Sequence, residues 1–442
     1  MRTLAEWLTL QESVHPQSID LGLERVTRVA HELRVAAPAF PVFTVAGTNG
    51  KGSVVAHLEA LLRALGVHPG VFTSPHLTRY NERIRLDGRE VDDAQLIAAF
   101  ERIEAARAAT TLTFFEYNTL AALLVFTQAR VEVAVLEVGL GGRLDATNLV
   151  DADVAVLASV GFDHREWLGD TLELIGTEKA GIFRVNRPAV LGTPRMPATV
   201  YQAIRQLAAQ PVVAERDFSW RIHPGGWDYA GLALSLHSLP PSALAGAIQY
   251  RNAATAIAAL EALRAFSADR ADRPGVARLV GRLDALDERV VAAALGRVHL
   301  PGRFQVIPGA VEWILDIAHN EPAARLLAAQ LGERPLPSAG AHDAGRTFAV
   351  VGVLADKDVA GIGGALAPLI VHWILCTLPG PRGLSAAQVA QRLALEGASV
   401  ELAASVVEGC ELARSEAKPG DRVVVCGSVY TVGPALQWLR IY

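Results

Sequence analysis

Two spacings of apolar residues alternate along this chain. Short β-branched runs predict buried strands at 42–46, 71–73, 131–138, 154–159, 188–191 and 211–214. Between them, apolar positions recur at helical spacing. Val54, Val55, Leu58, Leu61 and Leu62 follow the first strand. Further helices are predicted over 92–107, 117–129, 171–180 and 251–265, with another between the last two strands. Residues 1–40 are mostly helical in pattern, with Leu21, Leu23, Val26, Val29, Ala30 and Leu33 on one face. Alternation at this spacing predicts an α/β fold built on a doubly wound, mostly parallel sheet. Residues 215–245, rich in Gly, Pro, Ser and Trp, predict short strands or an irregular excursion. A charged, helical tract over 266–300 ends in Leu300-Pro-Gly-Arg303, and the alternation then restarts. Strands are predicted at 311–316, 347–353, 370–377 and 421–425, and helices at 321–332 and 385–395. The expected organisation is a larger domain over 1–298 followed by a smaller Rossmann-like α/β domain over 299–442. The Pro-, Gly- and Ala-rich stretch at 334–346 is expected to be an exposed loop.

Composition changes this picture little. Of 442 residues, 51% are hydrophobic and 20% charged, which suits large cores. A net charge of −5 argues against a nucleic-acid-binding surface. Cys376, Cys410 and Cys426 are too few and too scattered for a disulfide framework or a zinc site, and fit reduced, mostly buried thiols. The opening Met1-Arg-Thr-Leu-Ala-Glu-Trp7 lacks the apolar run of a signal peptide. No stretch of about 18 uninterrupted apolar residues suggests a membrane span. A cytoplasmic monomer with no membrane partner is expected.

Chemistry enters at the strand ends, where open α/β sheets bind ligands. Gly47-Thr48-Asn49-Gly50-Lys51-Gly52-Ser53 lies between the first strand and its helix. Three glycines let backbone N–H groups close around an anion, the helix N-terminus adds partial positive charge, and Lys51 adds a full one. This is a phosphate-binding loop that departs from the general pattern G-x-x-x-x-G-K-[ST] at two places. Val45 stands at the first glycine position, and Gly52 occupies the hydroxyl position, with Ser53 one later. Ser53 or a hydroxyl elsewhere must then serve magnesium. After the next strand, Ser74-Pro-His-Leu-Thr-Arg-Tyr-Asn-Glu-Arg-Ile-Arg85 predicts a long functional loop. Glu137 ends an apolar strand, placed to bind Mg²⁺ directly or through water, and leads into Gly139-Leu-Gly-Gly-Arg-Leu-Asp-Ala-Thr-Asn148. A dinucleotide fingerprint is the rival reading there, but Leu144 stands where its third Gly or Ala belongs. Asp163-His164 follows the strand at 154–159. Thr177-Glu-Lys-Ala-Gly181 taken alone is a helix C-terminus, with Lys179 near the negative dipole end and Gly181 as cap. In the second domain, Asp316-Ile-Ala-His-Asn320, Arg303 and Gly427-Ser-Val-Tyr430 are further strand-end candidates, and together these clusters suggest one cleft between the domains.

In this order the clusters resemble the folylpolyglutamate synthase / dihydrofolate synthase family of the Mur ligase superfamily. The resemblance runs from about residue 20 to 440, and 136–148 is its most specific piece. It also takes in Thr113-Phe114-Phe115-Glu116, Glu178-Lys-Ala-Gly-Ile182, Asn252-Ala253 and Asp356-Lys-Asp358. It implies an ATP-dependent amide ligase that joins L-glutamate to dihydropteroate, giving dihydrofolate, and to reduced folates, giving folylpolyglutamates, through an acyl phosphate. Gly47 to Ser53, Asn252, Arg303 and Asp316 match ATP-binding positions, with Lys51 neutralising phosphate charge. Ser74, Glu137 and His164 match magnesium ligands. Lys179 matches a carbamoylated lysine that holds a second metal, which replaces the helix-end reading and requires a neutral amine. Lys51, Lys179, His164 and His319 are the implied catalytic set. Thr113, Phe114, Phe115, Glu116, Leu144, Asp145 and Ala146 match the pterin pocket, and His319, Ser428 and Tyr430 are weaker candidates for glutamate. The implied cofactors are ATP and Mg²⁺ at two sites, and a monovalent-cation requirement stays open. Ile317 and Glu321 stand where the family more often has Gly and Pro, and Tyr117-Asn118 varies a usually more apolar pair. Neither removes a group the mechanism needs. A cell-wall ligase acting on a UDP-sugar would carry a whole domain before the phosphate loop, where this chain has 46 residues. A nucleotide switch would need a base-reading Asn-Lys-x-Asp, which the chain lacks. A pure binding module would predict no phosphate release with any acid and amine.

Overall fold

A computed structural model describes residues 2–17, 19–267, 273–337, 345–393 and 397–441. Two compact units divide the chain: Met1–Ala243 with Ile248–His299, and Leu244–Ala247 with Leu300–Tyr442.

The first unit is built on eight strands: β1 (Val42–Ala46), β2 (Pro69–Phe72), β3 (Ile84–Leu86), β4 (Arg89–Glu90), β5 (Val133–Glu137), β6 (Val154–Leu157), β7 (Pro188–Leu191) and β8 (Gln210–Val213). Their order is β4-β3-β2-β5-β1-β6-β7-β8. All pairs from β2 to β8 are parallel, and only the β3 and β4 edge runs antiparallel. Central strands of a sheet covered on both faces need apolar residues on both, and β1, β2, β5, β6 and β7 are buried throughout. One face packs on Leu96, Phe100, Tyr117, Leu120 and Phe126 at the β2 and β5 side and on Val200 and Ile204 at the β6 to β8 side, and the other face packs on the helices Lys51–Ala64 and Ile248–Ala265. The helix Lys51–Ala64 is buried on all sides from Gly52 to Leu62 and packs against the helix Ile248–Ala265.

Several boundaries differ from expectation for physical reasons. The polar stretch after β2 is not wholly a loop: Tyr80–Arg83 forms a 3-10 turn, and Ile84 and Arg85 lie in β3. The Arg85 guanidinium hid that strand, because it is half-buried against the buried Glu59 of the helix behind it (2.8 Å). The helix predicted from 117 begins at Phe114, where Thr113 and Glu116 form a reciprocal capping box. The helix predicted from 251 begins at Ile248, so Asn252 sits in its second turn. Residues 215–245 contain a regular antiparallel meander of β9 (Ser219–His223), β10 (Gly226–Ala230) and β11 (Ser235–Leu239).

The second unit carries β12 (Gln305–Ile307), β13 (Glu312–Leu315), β14 (Thr347–Val351), β15 (His372–Cys376), β16 (Ser399–Ala403) and β17 (Arg422–Cys426), in the order β12-β13-β17-β14-β15-β16. All pairs are parallel except β12 with β13. β12 and β16 were not expected. Both are edge strands whose residues are largely half-exposed or exposed, which leaves no apolar run to read. The helix Val359–Leu366 was also missed, because Gly361, Gly363 and Gly364 mask its pattern. Of the stretch expected as a loop at 334–346, residues 338–344 lie outside the described residues, as do 268–272 of the charged tract and 394–395 of the helix expected at 385–395. Among the described residues, no helix is long and apolar enough to cross a membrane.

Candidate functional site

β1 lies between β5 and β6, and the loop Gly47–Ser53 leaves its carboxyl end. Gly50 caps the following helix at φ 90°, a left-handed conformation that a side chain resists, and a Cβ there would press on Asn252 Oδ1 at 3.2 Å. Asn252 therefore abuts the loop, and its Nδ2 donates to Gln249 Oε1 (3.1 Å). The segment after β6 braces the loop. Thr48 N–H donates to Ser159 O (2.9 Å), Asn49 N–H to Ser159 Oγ (3.0 Å), and Ser159 Oγ to Asn49 O (2.8 Å). Thr48 Oγ1 donates to Gly161 O (3.0 Å) and accepts from Gly161 N–H (2.9 Å). Lys51 Nζ donates to Gly47 O (2.8 Å) and Thr48 O (3.3 Å), which holds the ammonium over the loop. Ser53 is buried, and its carbonyl bonds His57 Nδ1 at 2.7 Å.

On the β5 side, Glu137 pairs in register with Val45 of β1 and is 4% exposed. Its Oε2 accepts from Ser74 N–H, beyond the end of β2, at 3.2 Å. The ends of β2 and β5 thus present two of the expected metal ligands together. The glycine run that follows lets other chain segments approach closely. A Cβ on Gly139 would meet Phe115 Cζ at 2.6 Å, and one on Gly142 would meet Glu178 O at 2.8 Å and Lys179 O at 2.9 Å. Asp145 organises the run: Oδ2 accepts from Leu140 N–H (2.8 Å), and Oδ1 from Thr147 N–H (3.0 Å) and Thr147 Oγ1 (2.6 Å). Burial pushes its carboxyl up, and these hydrogen bonds oppose that.

Beyond β6, His164 adopts a left-handed φ of 50° and donates its N–H to Asp163 Oδ1 (2.9 Å). Its Nε2 lies 3.9 Å from Asp163 Oδ2. The Ser74–Glu137 pair and the Asp163–His164 pair therefore stand at strand ends on opposite sides of β1. Lys179, in the last turn of Leu172–Ala180, is 5% exposed. Burial first, and the Lys51 charge second, bring its amine down to about 7, while Asp163 and Asp145 pull the other way. Lys179 is thus buried among Lys51, Asp163 and Asp145. Gly181 does follow this helix as its C-cap, in a right-handed conformation (φ −63°).

Thr113 and Glu116, expected near the pterin, are engaged in the capping box at 2.7 and 3.2 Å, and Glu116 Oε1 lies 3.3 Å from Arg25. Burial pushes the Glu116 carboxyl up. Phe115 packs on Phe72 (5.7 Å) and over Gly139, while Phe114 meets Tyr80 edge-on (5.9 Å) beneath the Arg83 guanidinium. Leu144 is half-buried and Ala146 buried.

In the second unit, Asp316 follows β13 and is half-buried in the field of Arg303 and His319. Burial raises its carboxyl, and Arg303 opposes this most. Its oxygens accept from Phe304 N–H (2.7 Å) and Ala318 N–H (2.8 Å). Asn320 caps the helix Glu321–Glu333. Ser428, buried after β17, caps Val429–Leu439 by accepting from Tyr430 N–H (3.2 Å), and the Tyr430 side chain is exposed.

The comparisons follow the same two units. The Mur ligase middle domain family matches residues 45–193, and the Mur ligase glutamate ligase domain family matches 302–429. The dihydrofolate synthase/folylpolyglutamate synthase of Escherichia coli K12 is 42% identical over 436 residues, covering 98% of this chain and 95% of that protein. The chain belongs to the dihydrofolate synthase/folylpolyglutamate synthase family. Among solved structures, E. coli FolC in complex with DHPP and ADP superposes with a TM-score of 0.88 at 40% identity, covering 99% of this chain and 98% of that one. A bifunctional folylpolyglutamate synthase/dihydrofolate synthase with Mn, AMPPNP and L-glutamate bound gives 0.86 at 40% identity, covering 100% and 99%. In this family member, sequence reasoning missed Ser159 and Gly161, which brace the phosphate loop. Their position directly after an apolar strand was the available signal. It also missed the Arg85–Glu59 pair, whose charged residues carry no such signal.

Proposed function

We infer that this chain is an ATP-dependent amide ligase that adds L-glutamate to dihydropteroate and to reduced folates through an acyl phosphate. The observation that carries this is the glycine loop at the end of β1, with Lys51 over it and Asn252 against it, in a chain that matches the family over nearly its whole length. The relatives solved with ADP, AMPPNP, DHPP and L-glutamate support the substrate classes.

Phosphoryl transfer needs positioning and charge neutralisation more than covalent chemistry from the protein. The loop N–H groups and Lys51 supply both for the β- and γ-phosphates. Hard oxygen donors suit Mg²⁺, and the Glu137 carboxylate beside Ser74 offers such donors, so these residues fit the ion. Bound there, Mg²⁺ would neutralise phosphate charge. His164 completes the set on family resemblance. Lys179 fits carbamoylation because a buried amine near another cation is readily neutral, and the carbamate would be an anionic ligand for a second ion. Phe114, Phe115 and the run Leu144 to Ala146 would form the pterin wall, with Thr113 and Glu116 setting the helix that presents the two phenylalanines. Arg303 and Asp316 would contact ATP, and His319, Ser428 and Tyr430 would receive glutamate. The reading places the enzyme in the cytoplasm as a monomer, and the three free, buried cysteines fit a reducing compartment.

Purified protein with ATP, Mg²⁺ and L-glutamate should release phosphate with dihydropteroate and with a reduced folate, and only when all components are present. Release with one acceptor alone would reduce the enzyme to a monofunctional synthase. No release with either would overturn the reading.

A further inference from the structure

At the outer edge of the second sheet, three side chains that the ligase reaction does not use converge. His372 opens β15, Glu401 lies on the edge strand β16, and Glu416 ends the helix Val406–Glu416. Strand register puts His372 opposite Ser399, and Glu401 projects from the same face of β16 two residues on. One ligand atom from each residue lies within 4.8 Å of the other two. His372 Nε2 is 3.6 Å from Glu401 Oε2 and 3.5 Å from Glu416 Oε2.

These separations discriminate between two arrangements. An N–H···O hydrogen bond spans about 2.7–3.2 Å, so both are too long for one. Two ligands on a tetrahedral zinc ion, each about 2.0–2.1 Å from the metal, stand about 3.4 Å apart. The observed distances match that edge. A second observation points the same way: His372 Nε2 and Glu401 Oε2 are both buried atoms without a hydrogen-bond partner. Buried polar atoms are ordinarily paired, and an orphaned nitrogen and an orphaned carboxylate oxygen facing each other call for a cation between them. The other ring nitrogen, Nδ1, is 2.6 Å from Ser399 Oγ. That contact suits a tautomer that donates from Nδ1 and leaves the Nε2 lone pair free, the usual supporting bond of a metal-binding histidine. Phe348 packs edge-on against the ring at 5.6 Å and fixes its plane. Arg346, stacked over Phe348, engages Glu416 through its main-chain oxygen (3.2 Å).

We propose that His372, Glu401 and Glu416 form a divalent transition-metal site of the zinc type, with water completing the coordination. One imidazole and two carboxylates suit zinc better than Mg²⁺ or Ca²⁺, which favour oxygen donors. The ion would tie the edge strand β16 to β15 and to the end of the following helix, a structural clamp separate from nucleotide chemistry. Metal-free full-length protein is titrated with Zn²⁺ by calorimetry and with Co²⁺ by visible absorption, alongside Glu401→Gln and His372→Ala. The wild type should bind one more Zn²⁺ than either variant, its thermal transition should rise with Zn²⁺ by more than theirs, and a Co²⁺ ligand-field band should be lost in both. Glu401→Gln keeps the side-chain shape, so it decides the matter even if His372→Ala folds poorly. Equal Zn²⁺ stoichiometry and equal Co²⁺ spectra in wild type and Glu401→Gln would overturn the proposal and make the triad an ion pair of protonated histidine.

Discussion

Two lysines stand in the first unit and are held in opposite ways. Lys51 opens the helix after β1 with its ammonium bonded to two carbonyls of its own loop. Lys179 closes a helix elsewhere in the chain and is buried, with its amine brought down to about 7. The first arrangement keeps a cation where phosphates would lie. The second favours a neutral amine in a place where a neutral amine is reactive toward CO₂. Residue type does not reveal the difference. Gly142 lets the 139–148 run lie on the Glu178 and Lys179 carbonyls, against the turn that carries the buried lysine.

That contrast yields graded predictions. Lys51→Ala should lower kcat/KM by roughly 10³–10⁵-fold, the range for losing a cation on a transferring phosphoryl group, with the thermal transition unchanged. Lys179→Ala should cost roughly 10²–10³-fold. Mass spectrometry under bicarbonate should find the added CO₂ on Lys179 and none on Lys51. Modification of both or of neither would erase the distinction.

The third prediction concerns the phosphate-loop helix. His57 is fully buried, with Nδ1 on Ser53 O and Nε2 3.0 Å from Ser242 Oγ, and burial takes its imidazole from 6.5 to about 4. The unfolded chain therefore takes up a proton between those values that the folded chain refuses. Stability is full above 6.5 and declines as pH falls toward 4, by about 3 kcal/mol. Chemical denaturation across that window should show this slope in the wild type and lose it in His57→Gln. Smallest in effect is Gly142→Ala, whose Cβ would enter the Glu178 and Lys179 carbonyls. It should cost about 1–3 kcal/mol and reduce CO₂ uptake at Lys179 while leaving ATP binding, measured by calorimetry, within a few-fold of wild type. Unchanged CO₂ uptake would mean that the loop contact does not set the lysine's environment.

The same contrast explains what could be read without coordinates. The phosphate loop was legible because its parts are contiguous: an apolar strand, three glycines, a lysine and a helical stripe from Val54 to Leu62. The central strands were legible because burial on both faces demands unbroken apolar runs. Lys179 looked like a helix end by local pattern, since its turn packs against the 139–148 run through Gly142, 37 positions earlier. Thr113 and Glu116 were assigned to substrate, while their spacing also spelled a capping box. β3 was hidden by Arg85, an arginine made compatible with burial by Glu59 across the packing interface. β16 was hidden because an edge strand can be polar, and two of its polar residues, Ser399 and Glu401, face His372.

The most direct test of the ligase account follows one atom. Dihydropteroate carrying heavy oxygen in its carboxylate is turned over with ATP, Mg²⁺ and L-glutamate, and the released phosphate is examined by mass spectrometry. The account predicts one heavy oxygen in each phosphate and a product heavier by one glutamyl residue. Unlabelled phosphate accompanying product, or no product at all, would contradict it.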